Sequence, residues 1–544
     1  MQINFELRQM YLFSLKTKLI MKKLFIYSML FIAASSATAQ KVSIAWGEEG
    51  KRELTFGNFV KGQGTDMIKL CFDTKLVRKK TTPVLTRYND KLEEQAERAI
   101  TVDEEGIAYN TLFSVKGKIF LITSQYDKDS KTTTYFAQAI NIQTLDPDGK
   151  IINLGVYDAV KKSSQSSIDF ELSADSSKIL MFGTAPYQKN ANQKYYIAVL
   201  DSNMKKIWDK SVELPYADKY ISLQDELVTN DGRVGVILKH YDQEVTKEMV
   251  KVDGNKIPAY KTNMLLYDQA IEKPTEYVLD LNDKFVHSLQ LVSDNSANIV
   301  LFGLYKERYN GYISGFFTAT FDKKTNKTSI TNLNKFPDDL VTQIKTDKQG
   351  SDKEKDPGLS AWFKLAGTET RSNGSKDFIL EYSSEQLMTA TSYNGAFSYT
   401  YTYWLYDYGD IIDINLQKDG KVIIGRIPKM QQSIDVRAFS NFKILPYNDK
   451  LLVFYNDDDD NINRDINKKP DEFTKFNKSV FVMGSFDKAG NVTRDVLFKN
   501  KDNKLTTATR ECVQIDKNRI GLYAQKLGGV FSSAKDMVGI MTIQ

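Results

Sequence analysis

The residue types best suited to metal binding lie in an acidic run late in the chain, Asp-Asp-Asp-Asp-Asn-Ile-Asn-Arg-Asp. Its alternate positions are Asp457, Asp459, Asn461 and Asn463, whose side-chain oxygens are ligands of the kind that Ca²⁺ prefers. The run lacks the central glycine and the distal glutamate of an EF-hand loop, and Arg464 interrupts it. A solvated hairpin loop is the favoured interpretation, and a calcium site formed by these four residues is the alternative prediction.

A second group of residues with binding chemistry is an aromatic run near position 400. It begins with Tyr393, Phe397 and Tyr399 and continues through Trp404 to Tyr408. In a strand these side chains alternate between two faces, and packing between neighbouring sheets would bury both of them. Aromatic rings also suit contact with sugars or with a protein partner. Burial between sheets is the favoured interpretation, and the alternative prediction is a binding surface formed by the first three residues.

Catalytic chemistry finds little support in the residue types. The chain has two histidines, His240 and His287, and both lie inside runs typical of β-strands. General-base and serine-nucleophile systems commonly need a histidine, yet no Gly-x-Ser-x-Gly turn or His-Glu-x-x-His helix accompanies either one. The sequence also lacks a glycine-rich phosphate loop. We therefore predict no catalytic and no cofactor-binding residues, and a structural role for both histidines.

A repeating strand pattern must position these groups. Apolar runs, each followed by a polar turn and a second β-rich run, recur at intervals of tens of residues. The apolar runs include residues 118–122, 179–182, 234–238, 299–302 and 451–454. Such recurrence is typical of radial repeat folds. The sequence predicts an all-β protein, a single β-propeller of eight blades, with seven as the alternative because residues 345–430 are irregular.

The two ends of the chain are predicted to meet. The last predicted blade runs out of residues before its sheet is complete, whereas residues 42–46 form a strand pattern of their own. Pairing them with residues 537–543 would close the ring without a free sheet edge. Cys71 and Cys512 fall in the first and last blades, which are neighbours in a closed ring. We predict either a disulfide between them, which would constrain a very long loop, or two buried thiols.

Residues 21–40 have the features of a secretory signal peptide: a basic start, an apolar core and an Ala-Thr-Ala cleavage motif. Residues 1–20 precede this signal and are interpreted as a gene-model extension, with a single N-terminal membrane anchor as the alternative. Later apolar stretches are too short to span a membrane. We expect export to the periplasm or the extracellular space, and one domain over residues 41–544 in which residues 346–359 form a flexible insertion.

Charge argues against a nucleic-acid partner. The whole chain has 74 Lys and Arg residues against 69 Asp and Glu residues, and residues 1–40 contain five of the basic ones and one of the acidic ones. The predicted mature chain therefore has 69 basic and 68 acidic residues. Nucleic-acid binding needs a net or clustered positive field, and neither is evident.

Three stretches late in the chain are Asp413-Ile-Asn-Leu-Gln-Lys-Asp-Gly-Lys421, Arg426-Ile-Pro-Lys429, and a strand that runs into an acidic loop over residues 451–458. Their sequences resemble those of a family of exported β-propeller proteins from Bacteroidota, most of which have no assigned activity. The resemblance covers most of the mature chain as a pattern. The family in turn resembles WD-like and Kelch-like propellers in architecture only. The resemblance implies fold and origin, and it implies no site residues.

These features favour a non-catalytic binding or interaction module in the bacterial envelope. It would be a monomer whose partner is a protein or a glycan. The alternative is a carbohydrate-active enzyme that uses Asp and Glu residues from inner strands at the central channel. A third hypothesis is a structural component of an envelope complex. Fold class alone cannot choose among them.

Overall fold

The computed structural model describes twelve stretches of the chain: residues 41–50, 54–75, 80–100, 107–245, 248–252, 254–293, 297–322, 327–353, 355–394, 397–472, 474–526 and 535–544. The predicted leader, residues 1–40, lies outside them. In these stretches antiparallel strands dominate, and the α-helices are α1 (Asp338–Thr346), α2 (Asp459–Ile462) and α3 (Asn500–Asn503). None of the helices described there is long and apolar enough to cross a membrane.

Eight sheets of four or five strands are present in the described residues, and in most of them the strands are hydrogen-bonded to one another in chain order. The first sheet contains β2 (Thr55–Lys61), β3 (Met67–Lys75), β4 (Lys80–Tyr88) and β5 (Glu94–Ala99). The second contains β6 (Ile107–Val115), β7 (Lys118–Asp127), β8 (Thr132–Ile140), β9 (Pro147–Lys161) and β10 (Ser164–Gln165). The third contains β11 (Ser167–Leu172), β12 (Lys178–Thr184), β13 (Asn192–Asp201) and β14 (Lys206–Ala217). The fourth contains β15 (Ile221–Val228), β16 (Val234–Tyr241), β19 (Tyr260–Asp268) and β20 (Ile271–Leu279), with the hairpin β17 (Met249–Val252) and β18 (Asn255–Pro258) inserted.

The remaining four sheets follow the same plan with larger insertions. The fifth contains β21 (Phe285–Ser293), β22 (Ile299–Lys306), β23 (Gly315–Asp322) and β24 (Lys327–Lys335), and the pair β25 (Gly350–Ser351) and β26 (Gly358–Leu359) follows α1. The sixth contains β27 (Phe363–Thr370), β28 (Lys376–Asn394), β29 (Phe397–Leu416), β30 (Val422–Ile427) and β31 (Gln431–Ile434). The seventh contains β32 (Phe442–Tyr447), β33 (Lys450–Asp457), β34 (Val480–Phe486) and β35 (Val492–Lys499). The eighth contains β36 (Thr506–Thr507), β37 (Val513–Gln514), β38 (Arg519–Lys526), β39 (Lys535–Ile543) and β1 (Val42–Trp46).

Clusters of buried apolar side chains join consecutive sheets. Leu70 of the first sheet shares a cluster with Leu121 of the second, and each later sheet shares one with the next. The series returns to its start, because Met67 of the first sheet packs in one cluster with Val538 of the eighth. Sheets that bury both faces against neighbours in a closed series form a β-propeller. The fold prediction is confirmed; the blade count stays a prediction, because segments between these sheets lie outside the described residues.

Burial on both faces explains the apolar runs in the sequence. The second and third strands of the sheets are packed on each side, so they have little need for a polar face, as in β12 and β34. Outer strands such as β14 alternate buried and exposed positions instead. Residues 91–100 have helical propensity, but their place in the repeat predicts a strand, and they contain β5. Tight turns between strands use glycine at positive φ, as at Gly232 (φ 86°).

Two compact units are described, residues 45–540 and a smaller one that includes residues 41–44 and 541–544. In the larger unit, the Gly47 amide donates to the Val538 carbonyl at 2.9 Å. In the described part of the smaller unit, the Gln544 amide donates to the Lys41 carbonyl, also at 2.9 Å. Each bond extends the pairing of β1 with β39. The predicted pairing of the N- and C-terminal strands is therefore confirmed.

The segment 346–359, predicted as a flexible insertion, contains the end of α1 and the two-stranded pair β25–β26. The side chains of Asp347, Gln349 and Leu359 within it are buried. Its flexibility stays a prediction, as does the single-domain boundary at residue 41.

Candidate functional site

The first strands of the sheets lie side by side and form the inner wall of the propeller. Contacts join β2 to β6, β15 to β21, and β27 to both β21 and β32. Five of these first strands carry a β-bulge, at Gly57, Asn110, Gln224, His287 and Ala366. Bulges re-aim side chains and are over-represented beside functional sites. The inner wall is therefore a candidate location for a functional site.

Three carboxyl groups meet on this wall, where β11 lies against β15. Desolvation by the surrounding protein atoms raises the pKa of Glu171 to about 8, and repulsion from Asp225 and Glu226 adds to the effect. Burial raises the pKa of each of these two neighbours to about 7. Glu171 nevertheless remains accessible to water, as a side chain in the wall of a solvent-filled channel would be. These are the channel carboxylates that the enzyme hypothesis needs.

The channel carboxylates are defined as Glu171, Asp225 and Glu226, and backbone groups contact Asp225 as well. Asp225 accepts a hydrogen bond from the Leu291 amide at 2.6 Å, which ties it to the fifth sheet. In the described residues, neither an arginine nor a lysine is among the groups that shift their pKa values. The sequence did not identify this group, because 68 acidic residues offer too many combinations. One signal was present: β11 alternates Ser, Asp and Glu with apolar residues.

The two histidines are held in their neutral form. Burial lowers the pKa of His287 to about 4, and the positive charges of Lys306 and Lys239 add repulsion. Burial also lowers the pKa of His240, whose ring centroid lies 3.9 Å from that of Tyr216. These environments agree with the structural role predicted for both residues.

A cluster of charged side chains surrounds the hydroxyl of Tyr408 in β29. Its buried hydroxyl donates to Glu385 Oε1 at 2.7 Å, and it accepts from Arg437 Nε at 3.1 Å and from Arg510 Nη1 at 3.0 Å. Burial, together with the bond to Glu385, raises the pKa of Tyr408 to about 12. The hydroxyl therefore keeps its proton at neutral pH and holds two guanidinium groups in place. We call Glu385, Tyr408, Arg437 and Arg510 the Tyr408 cluster.

Distant parts of the chain build this cluster. β28 and β29 have 19 and 20 residues, whereas their neighbours β27 and β30 have 8 and 6, so the hairpin extends beyond its own sheet. It carries Glu385 and Tyr408. Arg437 comes from the loop between β31 and β32, and Arg510 from a 3₁₀ turn of the eighth sheet. The cluster is therefore assembled from the sixth and eighth sheets and the loop between the sixth and the seventh.

A pair of aromatic residues, one exposed and one half-buried, continues the same face of the hairpin. Alternation places Trp404 and Tyr406 on the side of β29 that carries Tyr408. Their rings stack with centroids 6.2 Å apart and planes 15° from parallel. Across the ladder Leu387 pairs with Trp404, and Glu385 pairs with Tyr406. Trp404 is 44% exposed, whereas Tyr406 is half-buried and Tyr408 is buried.

The structure places two of the four predicted calcium residues, Asp457 and Asn461, in contact with each other. Asp457 is fully buried at the end of β33 and accepts from Asn461 Nδ2 at 2.9 Å, whereas Asp459 forms an ion pair with Lys499. Asn463 ends α2. In the described stretches, no group of three or more His, Cys, Asp or Glu side chains is placed to hold a metal ion. The run forms a strand end and a short helix, and calcium binding stays a prediction.

Cys71 lies in β3 and Cys512 lies just before β37, and both are buried. Both are free thiols in this structure, so the disulfide stays a prediction. Tyr393, Phe397 and Tyr399 have backbones at the tip of the β28–β29 hairpin, where Asn394 pairs with Phe397. Their side chains lie outside the described part of the structure, so the predicted binding surface is untested.

Comparisons with known proteins give no family. No family model matches the chain, and no curated protein matches it. Solved structures that resemble it include a polysaccharide lyase, Uly1 (9% identity, 91% of this chain and 99% of that chain, TM-score 0.37). Others are the WD40 domain of SCAP from fission yeast (6%, 93% and 94%, 0.36) and a protein of unknown function from Dyadobacter fermentans (8%, 92% and 99%, 0.29). TM-scores this low carry no argument about this chain, and the family resemblance stays a prediction.

Proposed function

We propose that this protein is an exported, non-catalytic binding module of the bacterial envelope, and that the face around Trp404 and Tyr408 contacts its ligand. The supporting observation is the exposed Trp404 ring, stacked on the half-buried Tyr406, beside two arginines that hydrogen-bond to one buried hydroxyl. Aromatic and arginine side chains dominate recognition surfaces. The hairpin that carries them is anchored in a sheet, so little order has to be gained on binding.

Binding is tested with the purified chain from residue 41 onward on a glycan array and against solubilised envelope fractions. The variant Trp404→Ala removes the exposed ring, and Tyr187→Ala is the matched control, because Tyr187 is 67% exposed on the third sheet. A ligand that is lost with Trp404→Ala and kept with Tyr187→Ala supports the proposal. A ligand that both variants keep contradicts the assignment of this face.

Export is part of the proposal and is supported by the signal features of residues 21–40. Protein recovered from the periplasm or the medium should begin at Gln40 or Lys41 when its N-terminus is sequenced. A cytoplasmic product that retains residues 21–40 would contradict export.

The channel carboxylates favour a second candidate function, a carbohydrate-active enzyme. Carboxyl groups that keep protons near neutral pH suit general acid catalysis of glycoside cleavage. Release of reducing ends from a polysaccharide panel by the wild-type protein, abolished in Glu171→Gln, would support the enzyme. No release from any member of the panel would count against it.

A further inference from the structure

The β28–β29 hairpin leaves the sixth sheet with an open edge. Phe363 of β27 pairs with Tyr382 of β28, where the pairing of these two strands ends. One further bond follows, from the Ser383 amide to the Trp362 carbonyl at 2.9 Å. Over residues 386–394, β28 pairs with β29 on one side, and no strand of the described part of the chain lies on the other. The backbone N–H and C=O groups on that side are therefore available to a further strand.

The projecting segment lacks the residues that commonly protect such an edge. Residues 386–406 contain no Asp, Glu, Lys, Arg, His or Pro, although charged residues make up 26% of the chain. Outer strands of other sheets do carry them: β14 contains Lys210 and Pro215, and β20 contains Lys273 and Pro274. Charges and prolines on an edge strand oppose pairing with foreign strands. The contrast within one chain indicates that the edge of β28 is used for pairing.

The projecting hairpin would gain stability from further strands. Two strands alone are marginally stable in water, and three or more strands with an apolar face are usually needed. The hairpin exposes apolar side chains, because Leu387 is 59% exposed and Trp404, its partner across the ladder, is 44% exposed. A strand added to β28 would satisfy the open edge and extend the sheet that carries these side chains.

The properties of the edge favour one occupant over two others. A lipid surface does not suit it, because hydrocarbon offers no hydrogen-bond partner to open backbone groups. A foreign peptide that adds a strand is commonly selected by side-chain pockets beside the edge. The cavity of about 200 Å³ that Tyr382 of β28 lines includes none of residues 386–394 in its wall.

A second copy of the same edge fits these properties. When one edge pairs with itself, a charged residue near the two-fold axis faces its own equivalent, and like charges directly opposite each other destabilise a sheet. Residues 386–394 contain no charge that could be opposed in this way. Thr–Thr contacts stabilise antiparallel pairs, and the hairpin already has one between the Thr391 and Thr400 hydroxyls at 3.1 Å.

We propose that residues 386–394 of β28 pair antiparallel with the same residues of a second copy of this chain, so that two hairpins form one four-stranded sheet. Each copy uses the same surface, so the assembly closes as a dimer. This inference goes beyond the proposed binding function and does not depend on it. It replaces the monomer that the sequence predicts.

Sedimentation equilibrium of the purified protein over a concentration series tests the dimer. We expect the measured mass to rise with concentration to twice the mass of the chain. The double variant Thr389→Lys with Thr391→Lys places like charges along the middle of the edge and should weaken association at least tenfold. The control, Ile207→Lys with Ser211→Lys, adds the same charge at exposed positions of the outer strand β14 and should not. A wild-type protein that stays monomeric, assemblies that grow beyond two copies, or a dimer that the β28 variant leaves intact would each overturn the inference.

Amide hydrogen exchange locates the interface without any substitution. In the wild-type protein, the amides of residues 386–394 should exchange more slowly at a protein concentration that favours the dimer than at one that favours the monomer. The amides of the outer strand β14 should exchange equally at both concentrations. Equal exchange of residues 386–394 at the two concentrations would place the interface elsewhere and overturn the inference.

Discussion

The hydroxyl of Tyr408 is the smallest feature that organises the candidate site. It links one carboxylate and two guanidinium groups through three hydrogen bonds of 2.7–3.1 Å. A buried polar group of this kind is costly when its partners are removed. The position of Arg510 therefore depends on this oxygen atom, whereas Arg437 is also held by an ion pair with Glu385 at 2.7 Å.

Replacing that oxygen tests its role. Tyr408→Phe keeps the ring and leaves Glu385, Arg437 and Arg510 without their shared partner, so we expect a loss of about 1–3 kcal/mol in the free energy of unfolding. Urea denaturation measures it, with the exposed Tyr187→Phe as the control. An unchanged free energy of unfolding would show that the hydroxyl organises nothing.

The channel carboxylates predict how stability depends on pH. Their folded-state pKa values lie above the ordinary values near 4, so the native state binds more protons than the unfolded state between about pH 4 and pH 8. Their contribution is fully present below the unfolded pKa and is lost as the pH rises through the folded one. The melting temperature should therefore fall across this window.

The variant Glu171→Gln should flatten that fall, because its side chain does not ionise. Glu213→Gln, on the exposed face of the outer strand β14, should leave the pH profile unchanged. Calorimetry at pH 5, 6, 7 and 8 decides the matter. Parallel profiles for wild type and Glu171→Gln would contradict the assignment.

At the scale of elements, the sequence segments that resemble the exported family contribute residues to a buried polar network with a structural role. Asp413 and Asp377 are buried and pair with the Arg371 guanidinium, each at 2.8 Å, and Asn415 donates to Asp377 at 2.6 Å. Arg371 also donates to the Asp449 carbonyl of the seventh sheet at 3.1 Å. These polar residues tie strands and sheets together, which is a structural role.

Removing the cation from this network should be severe. Arg371→Met leaves two buried carboxylates uncompensated, and we expect a loss of about 3–5 kcal/mol in the free energy of unfolding. Arg308→Met breaks an exposed pair with Asp356 and should cost less than about 1 kcal/mol. Equal effects of the two variants in denaturant titrations would contradict the account of the network.

The elements also show how far the sequence could predict this protein. Apolar runs predicted the strands, and the incomplete last sheet predicted the closure, because both follow from burial and from the need to cover sheet edges. The candidate site was found only in part. The aromatic run pointed to the correct hairpin, but the register that sets Glu385 beside Tyr406, and the approach of Arg510 over 102 residues, arise from tertiary packing. Neither leaves a local signal in the sequence.

For the whole molecule, closure by β1 is the feature on which the ring depends. Without β1 the last strand, β39, would present a free edge, and free edges promote aggregation. A chain that lacks residues 41–47 should melt at a lower temperature and aggregate more readily than the full mature chain. A synthetic peptide of residues 41–50 added in excess should restore the melting temperature, and a scrambled peptide should not. Unchanged melting of the shortened chain would show that closure contributes nothing.

Hydroxyl-radical footprinting with mass spectrometry tests the central claim most directly, since it reads the binding face and the channel wall in one experiment. The wild-type protein is oxidised with and without the glycan that it retains most strongly. The account predicts protection of Trp404 and Tyr406 by the glycan, with no change at Tyr187. Unchanged oxidation of Trp404 and Tyr406, with protection confined to the first strands of the sheets, would contradict it.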